Sequence, residues 1–258
     1  MQPTERFTTL VDNYLRYRPG YPAAALELLE ARCGLSAQAR VADLGSGTGI
    51  LTELLLKCGA EVFGVEPNDG MRAAAETSLC AYPRFRSVNG SAESTTLAPD
   101  SVDLLIAGQA FHWFDVKRSH LEALRVLRAA GWAALLWNER PTQLTAFRAD
   151  YEALLLRHAA EYARITASRA DVAAMREFLG PAMELATFPN QQILDFEGLR
   201  GRLRSSSYAP PPGDPQHEPM IAGLRELFDR HQQHGKVVLG YRTLVYFAQL
   251  RPAASASS

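Results

Sequence analysis

The chain has 258 residues, 47% of them hydrophobic, with 27 Lys and Arg against 28 Asp and Glu and a formal net charge of -1. That content can bury the core of one large α/β domain with an elaboration. The balanced charge offers no basic surface, so a nucleic-acid partner is not expected. No apolar run approaches the ~18 residues of a membrane span and no apolar core follows the start, so neither an anchor nor a signal peptide is expected and the setting reads as cytoplasmic.

Residues 5 to 16 read as an amphipathic helix, with Phe7, Leu10, Val11, Tyr14 and Leu15 on one face and Pro19-Gly20 and Pro22 as breakers. Ala23 to Cys33 reads as a second helix stopped by Gly34. From Arg40 the pattern alternates strand and helix over 40–44, 49–58, 61–66, 70–81, 85–89, 102–108, 116–129 and 131–137. Such alternation means parallel strands joined by right-handed helical crossovers, with both faces of the sheet covered. After Pro141 a helix is expected over Thr145 to Arg169 and a short one over Val172 to Leu179. A strand over Leu185 to Leu194 and a helix over Phe196 to Arg204 follow. The proline-rich loop Ala209 to Pro215 leads into a helix over Glu218 to His234. Lys236 to Gln249 reads as a last strand. The segment organisation is then a lid over 1–36, an α/β core over 37–141, a helical cap with sheet-completing strands over 142–250, and a disordered tail over 251–258.

One stretch carries chemistry. Asp43-Leu-Gly45-Ser46-Gly47-Thr-Gly49 joins an apolar strand to a helix that begins at Ile50. Glycines there let a ligand touch backbone, and the helix N-terminus favours electron-rich groups. The dinucleotide fingerprint G-x-G-x-x-G would need its third glycine at Ile50, so the spacing disfavours a nicotinamide site. Glu66 closes the next strand about twenty residues beyond Gly45, the distance at which an acid reaches ribose hydroxyls. Two acids and no Lys or Arg in the loop suit a nucleoside without phosphates that carries positive charge.

These residues resemble the cofactor site of class I S-adenosylmethionine-dependent methyltransferases. The likeness extends through Gly90-Ser91-Ala92-Glu93, Ser101 to Leu105, Gln109 to Asp115 and Arg125 to Gly131. Tyr17 to Pro22 and Leu239 to Thr243 resemble the small-molecule branch that contains trans-aconitate methyltransferase-like enzymes. The resemblance implies a doubly wound, mostly parallel seven-stranded sheet with helical cap insertions and one antiparallel strand near the C-terminus. It implies S-adenosyl-L-methionine as cofactor and a small-molecule acceptor methylated by SN2 transfer, at a hydroxyl or carboxylate oxygen. It also implies a binding set of Tyr14, Arg18, Asp43, Gly45, Ser46, Gly47, Gly49, Glu66, Pro67, Ser91, Ala92, Glu93 and Gln109. Within that set Asp43 and the glycine backbone would take the methionine portion. Ser91 stands where many relatives place an adenine-binding Asp, which leaves that contact to Glu93 or to backbone.

Phe111, Trp113 and Asn138 are expected to wall the acceptor chamber. His112 is the candidate general base, since imidazole titrates near neutrality. A structural histidine, a non-enzymatic cofactor-binding module and a nicotinamide-dependent oxidoreductase remain the alternatives. His231 and His234 have no third ligand near in sequence, so no metal is expected. Cys33, Cys58 and Cys80 lack ligand spacing and read as buried free thiols.

Overall fold

The computed structural model describes residues 17–140, 145–159, 161–162, 171–206 and 208–251. Its strands are β1 (Arg40–Leu44), β2 (Glu61–Val65), β3 (Phe85–Val88), β4 (Val102–Gly108), β5 (Leu127–Glu139), β6 (Glu184–Leu194) and β7 (Val237–Gln249). Its helices are α1 (Ala23–Cys33), α2 (Ile50–Lys57), α3 (Asp69–Ser78), α4 (Val116–Val126), α5 (Ala146–His158), α6 (Val172–Leu179), α7 (Phe196–Arg204) and α8 (His217–His231). The strands form one seven-stranded sheet in the order β3-β2-β1-β4-β5-β7-β6. The first five pair in parallel. β7 runs against β5: Thr243 at its midpoint bonds Asn138, and Leu250 just past its end bonds Gly131. The mostly parallel sheet, with β7 reversed, is therefore as the sequence implies.

Strand order turns back beside β1, which has β2 on one side and β4 on the other. The crevice beyond the carboxyl ends of strands at such a switch point is where open α/β sheets bind ligands. Side-chain alternation explains the covering of both faces. Val41, Leu104 and Ile106 pack with Leu29 of α1 and Leu55 of α2. Their neighbours Ala42, Leu105 and Ala107 pack on the other face with Val126 of α4 and Phe178 of α6. Each such Leu or Val buried contributes about 1.5–3 kcal/mol. Asn68 caps α3 by accepting from the Met71 amide, and Asp115 caps α4 by accepting from Arg118.

The chain divides into two compact units, one of Gly20–Asn138, Asp171–Phe188 and Thr243–Ser258, the other of Met1–Pro19, Glu139–Ala170 and Pro189–Arg242. In the second unit α5, α7 and α8 share an apolar cluster that includes Leu155, Leu199, Leu224 and Leu239.

Several boundaries differ from expectation. α1, assigned to the lid, buries Ala25, Leu29 and Cys33 in the sheet's core. α6, assigned to the cap, buries Met175, Phe178 and Leu179 with α4 and the sheet. α4 stops at Val126 because the Asp100 and Ser101 amides take the Arg125 and Val126 carbonyls, which draws the chain into β5 four residues early. α5 ends at His158; residues 160 and 163–170 of the expected long helix lie outside the described residues, as do the helix at 5–16 with Tyr14 and most of the tail. Cys33 is buried as expected, but Cys58 is half-buried and Cys80 exposed. Among the described residues no helix is long and apolar enough to cross a membrane, and no cluster of His, Cys, Asp or Glu could hold a metal ion. His231 instead hydrogen-bonds Asp150 at 2.7 Å.

Candidate functional site

The site begins where β1 ends. Asp43 is the fourth residue of a strand whose both faces are covered, so its side chain is only 1% exposed. The hydroxyl of Thr52, one turn into α2, donates to Asp43 Oδ2 at 2.6 Å. Oδ1 is buried with no hydrogen-bond partner among the described residues. Burial pushes the Asp43 pKa up to about 7; the Thr52 hydrogen bond opposes this and the nearby Glu66 charge adds to it. An unsatisfied buried carboxylate oxygen is costly, and a bound ammonium group would complete it.

The glycine turn is fastened to the end of β2. The Gly45 and Ser46 amides donate to the Val65 carbonyl at 2.8 and 3.2 Å. The Gly47 amide donates to Glu66 Oε2 at 2.9 Å, while Oε1 accepts from the Asn68 amide at 2.8 Å. Burial raises the Glu66 pKa, opposed by those two amides and by Arg72. The glycines are needed for different reasons. A Cβ on Gly45 would stand 2.7 Å from Ala110 Cβ, so this position is set by packing. Gly47 has φ of +58° with nothing within 4 Å of where its Cβ would be, so it borders open space. An orphaned acid, a glycine turn facing open space and a second buried acid thus lie along one path. Asp43 suits the amino group of the implied S-adenosyl-L-methionine. Glu66, each of whose oxygens accepts one amide, keeps lone pairs for ribose hydroxyls. Pro67 beside it is exposed.

The remaining sequence candidates gather beyond β3, β4 and β5. Ser91 and Ser94 close a tight turn through paired backbone bonds, with Ala92 buried between them. Glu93 Oε1 accepts the Asp115 amide at 2.9 Å, which ties this turn to the start of α4. Gln109 follows β4 with φ of +59°, a left-handed conformation rare for a residue with a side chain. Its amide donates to Leu136 O, and its side chain donates to Asn138 O at 3.2 Å. Asn138 in turn accepts from Thr243 at 2.6 Å and donates to Gly20 O at 3.0 Å.

Phe111 to Trp113 form a short 3-10 turn. Phe111 points into the core, edge-on to Phe178 and Phe114, and so packs the sheet rather than facing open space. His112 is half-buried between Trp113 and Trp137, at 4.4 and 5.5 Å between ring centres. Trp113 is 46% exposed. Arg18 belongs to the other unit, where it donates to Ser205 O at 2.7 Å.

Two contributors, Thr52 and Ala110, were not legible as site residues. Thr52 orients Asp43 from nine positions away, a relation that exists only once α2 folds back on β1. Ala110 supports the turn at Gly45. Tyr21, expected to close with the N-terminal segment against the sulfonium, lies against the carboxyl end of β4, where a Cβ on Gly108 would collide with its hydroxyl.

Comparison with known proteins agrees with this geometry. Residues 42–135, which hold Asp43, the glycine turn, Glu66 and β4, match the family model described as a methyltransferase domain. A solved structure from Anaeromyxobacter dehalogenans shares the fold, with a TM-score of 0.67 at 23% identity over 92% of this chain and 99% of that one. Residues 42–135 thus resemble a methyltransferase domain, and the chain shares the fold of that solved structure. It is 38% identical over 138 residues to a protein of Mycobacterium tuberculosis strain H37Rv described as an uncharacterized methyltransferase. That match covers 54% of each, so the chain spans about half the length of the curated relatives it matches. A methyltransferase-like protein of Schizosaccharomyces pombe, also uncharacterized, is 25% identical over 254 residues, 96% of each chain.

Proposed function

We propose that the chain transfers the methyl group of S-adenosyl-L-methionine to an oxygen of a small-molecule acceptor, a hydroxyl or a carboxylate. The observation that carries this is the partnerless Asp43 oxygen beside the open face of Gly47, inside the stretch that matches the methyltransferase domain. When bound, the cofactor supplies an electrophilic methyl on a sulfonium. The chain's own task is to hold and orient. Asp43 binds the amino group, the turn at Gly47 admits the methionine portion, and Glu66 accepts from the ribose. Such positioning supplies ~7–11 kcal/mol of a barrier. Exposed Trp113 offers an aromatic face, which attracts a cation by about 0.5–2 kcal/mol. His112 takes the proton of a hydroxyl acceptor, whereas a carboxylate acceptor needs no base. Transfer to oxygen is also supported by a relative in Methylococcus capsulatus named malonyl-[acyl-carrier protein] O-methyltransferase, 35% identical over 96 residues, 36% of this chain and 35% of that one.

The test has two readouts. Calorimetric titration should show S-adenosyl-L-methionine binding and no binding of NAD. Labelled cofactor incubated with a metabolite extract should place label in an alkali-labile or ether-linked small molecule. Binding without any transfer would favour a cofactor-binding module, and NAD binding alone would overturn the assignment.

A further inference from the structure

The unit built on α5, α7 and α8 contains a group of charges that methyl transfer does not use. Arg140, Arg148 and Arg202 lie there among tyrosines, Arg140 half-buried and Arg148 and Arg202 each only 5% exposed. Arg140 donates to the Tyr162 hydroxyl at 2.8 Å and to the Tyr208 hydroxyl at 2.5 Å, and both rings flank its guanidinium. Arg202 donates to the Tyr241 hydroxyl at 3.1 Å and to Ser206 Oγ at 2.9 Å. Arg148 is poorly held. It reaches Gly240 O at 3.4 Å and Glu152 at 4.0 Å, and its Nε is buried with no hydrogen-bond partner among the described residues.

The charges do not balance. Glu152 is the one carboxylate paired with these arginines among the described residues, at 3.5 Å from Arg140. Burial lifts Tyr151 and Tyr162 well above the ordinary phenol range, so neither supplies negative charge. A guanidinium cannot shed its proton to escape burial. Removing an unpaired charge from water costs several kcal/mol. Among the described residues, three arginines thus face one glutamate, an excess of two positive charges in a largely buried setting. Arg140, 13% exposed at its side chain, and Glu152, 29% exposed, mark where solvent reaches the group.

We propose that Arg140, Arg148 and Arg202 form a binding site for a compact dianion carried by a small molecule, either a dicarboxylate or a phosphate monoester. Guanidinium forks match the acceptor oxygens of both groups. The poorly bonded Arg148 is the one the ligand completes. The site needs nothing from the glycine turn, so it stands or falls separately from cofactor binding.

The experiment is calorimetric titration of the full chain, without cofactor, with malonate and separately with inorganic phosphate, each against chloride at equal ionic strength. Saturable one-site binding of at least one dianion is expected, and the stronger of the two identifies the source. Arg148→Met keeps the volume and removes the charge. It should weaken that binding by at least about tenfold, the worth of hydrogen bonds to a charged group. Without dianion, the variant should melt no lower than the parent, because a buried unpaired charge is gone. A structural arginine would give the reverse. The proposal is overturned if neither dianion binds the parent, or if Arg148→Met binds as tightly as the parent.

Discussion

The carboxylate of Glu66 accepts the Gly47 amide at 2.9 Å, so the acid at the end of β2 and the turn after β1 are fastened together before any ligand arrives. A ribose bound by Glu66 would therefore meet a carboxylate already aimed by two amides. Glu66→Ala loses the acceptor and loosens the turn together. Its affinity for S-adenosyl-L-methionine should fall by about 1–3 kcal/mol, or about 5- to 150-fold, by calorimetry on a variant shown folded by circular dichroism. Unchanged affinity would remove the ribose assignment.

The two glycines that border this contact should fail in opposite ways. Gly47→Val adds a side chain into open space at a φ of +58°, so it should abolish cofactor binding through strain and obstruction while most of the fold persists. Gly45→Ala drives a Cβ to 2.7 Å from Ala110 and should cost stability, about 1–3 kcal/mol in a denaturant titration. A Gly47→Val protein that binds normally would contradict the placement of the methionine portion.

Asp43 gives a pH dependence. Its pKa is raised to about 7, mainly by burial, against 3.8 for an ordinary aspartate. Between about pH 4 and 7 the folded protein holds a proton there that the unfolded chain has lost. Its contribution to stability is therefore fully present below the unfolded value and declines as pH rises through the folded one. Without cofactor, the melting temperature of the parent should fall relative to that of Asp43→Asn across this window. Cofactor affinity should rise over the same window, because the amino group prefers the ionised carboxylate. Parallel melting profiles for parent and variant would show that Asp43 is not the group that titrates.

His112 separates the two acceptor types. With a hydroxyl acceptor, His112→Gln should lower kcat by about 10²- to 10⁴-fold. With a carboxylate acceptor, the same change should leave kcat within a few-fold. A large loss with an identified carboxylate would make the ring a positioning group, held as it is between Trp113 and Trp137.

The sheet, its order of elements and the path from Asp43 to Glu66 were legible because each rests on local pattern. Apolar runs, glycine spacing and the alternation of strand with helix all lie within a few residues of one another. Thr52 was not legible, since its bond to Asp43 exists only after α2 packs on β1. Nor was the strain at Gln109, where nothing in Gly108-Gln109-Ala110 signals a positive φ. The layer that receives α1 and α6 was hidden for a related reason. Periodicity shows that a helix has an apolar face and is silent on which layer receives it. The arginine group was invisible because Arg140, Arg148 and Arg202 are scattered along the chain and look individually like surface residues.

The position of β7 bears on how the protein is made. It lies between β5 and β6, yet it is the last strand to leave the ribosome. Until it arrives, the outer edge of β5 has no neighbour, and β6 has no strand in the sheet to pair with. About 110 residues separate the end of β5 from the end of β7. At ~5–20 residues per second, that leaves a nascent sheet with an open edge for about 5–20 s. An unpaired edge invites pairing with other chains. Ribosome-bound intermediates should therefore draw on chaperones most heavily between the synthesis of Glu139 and Gln249.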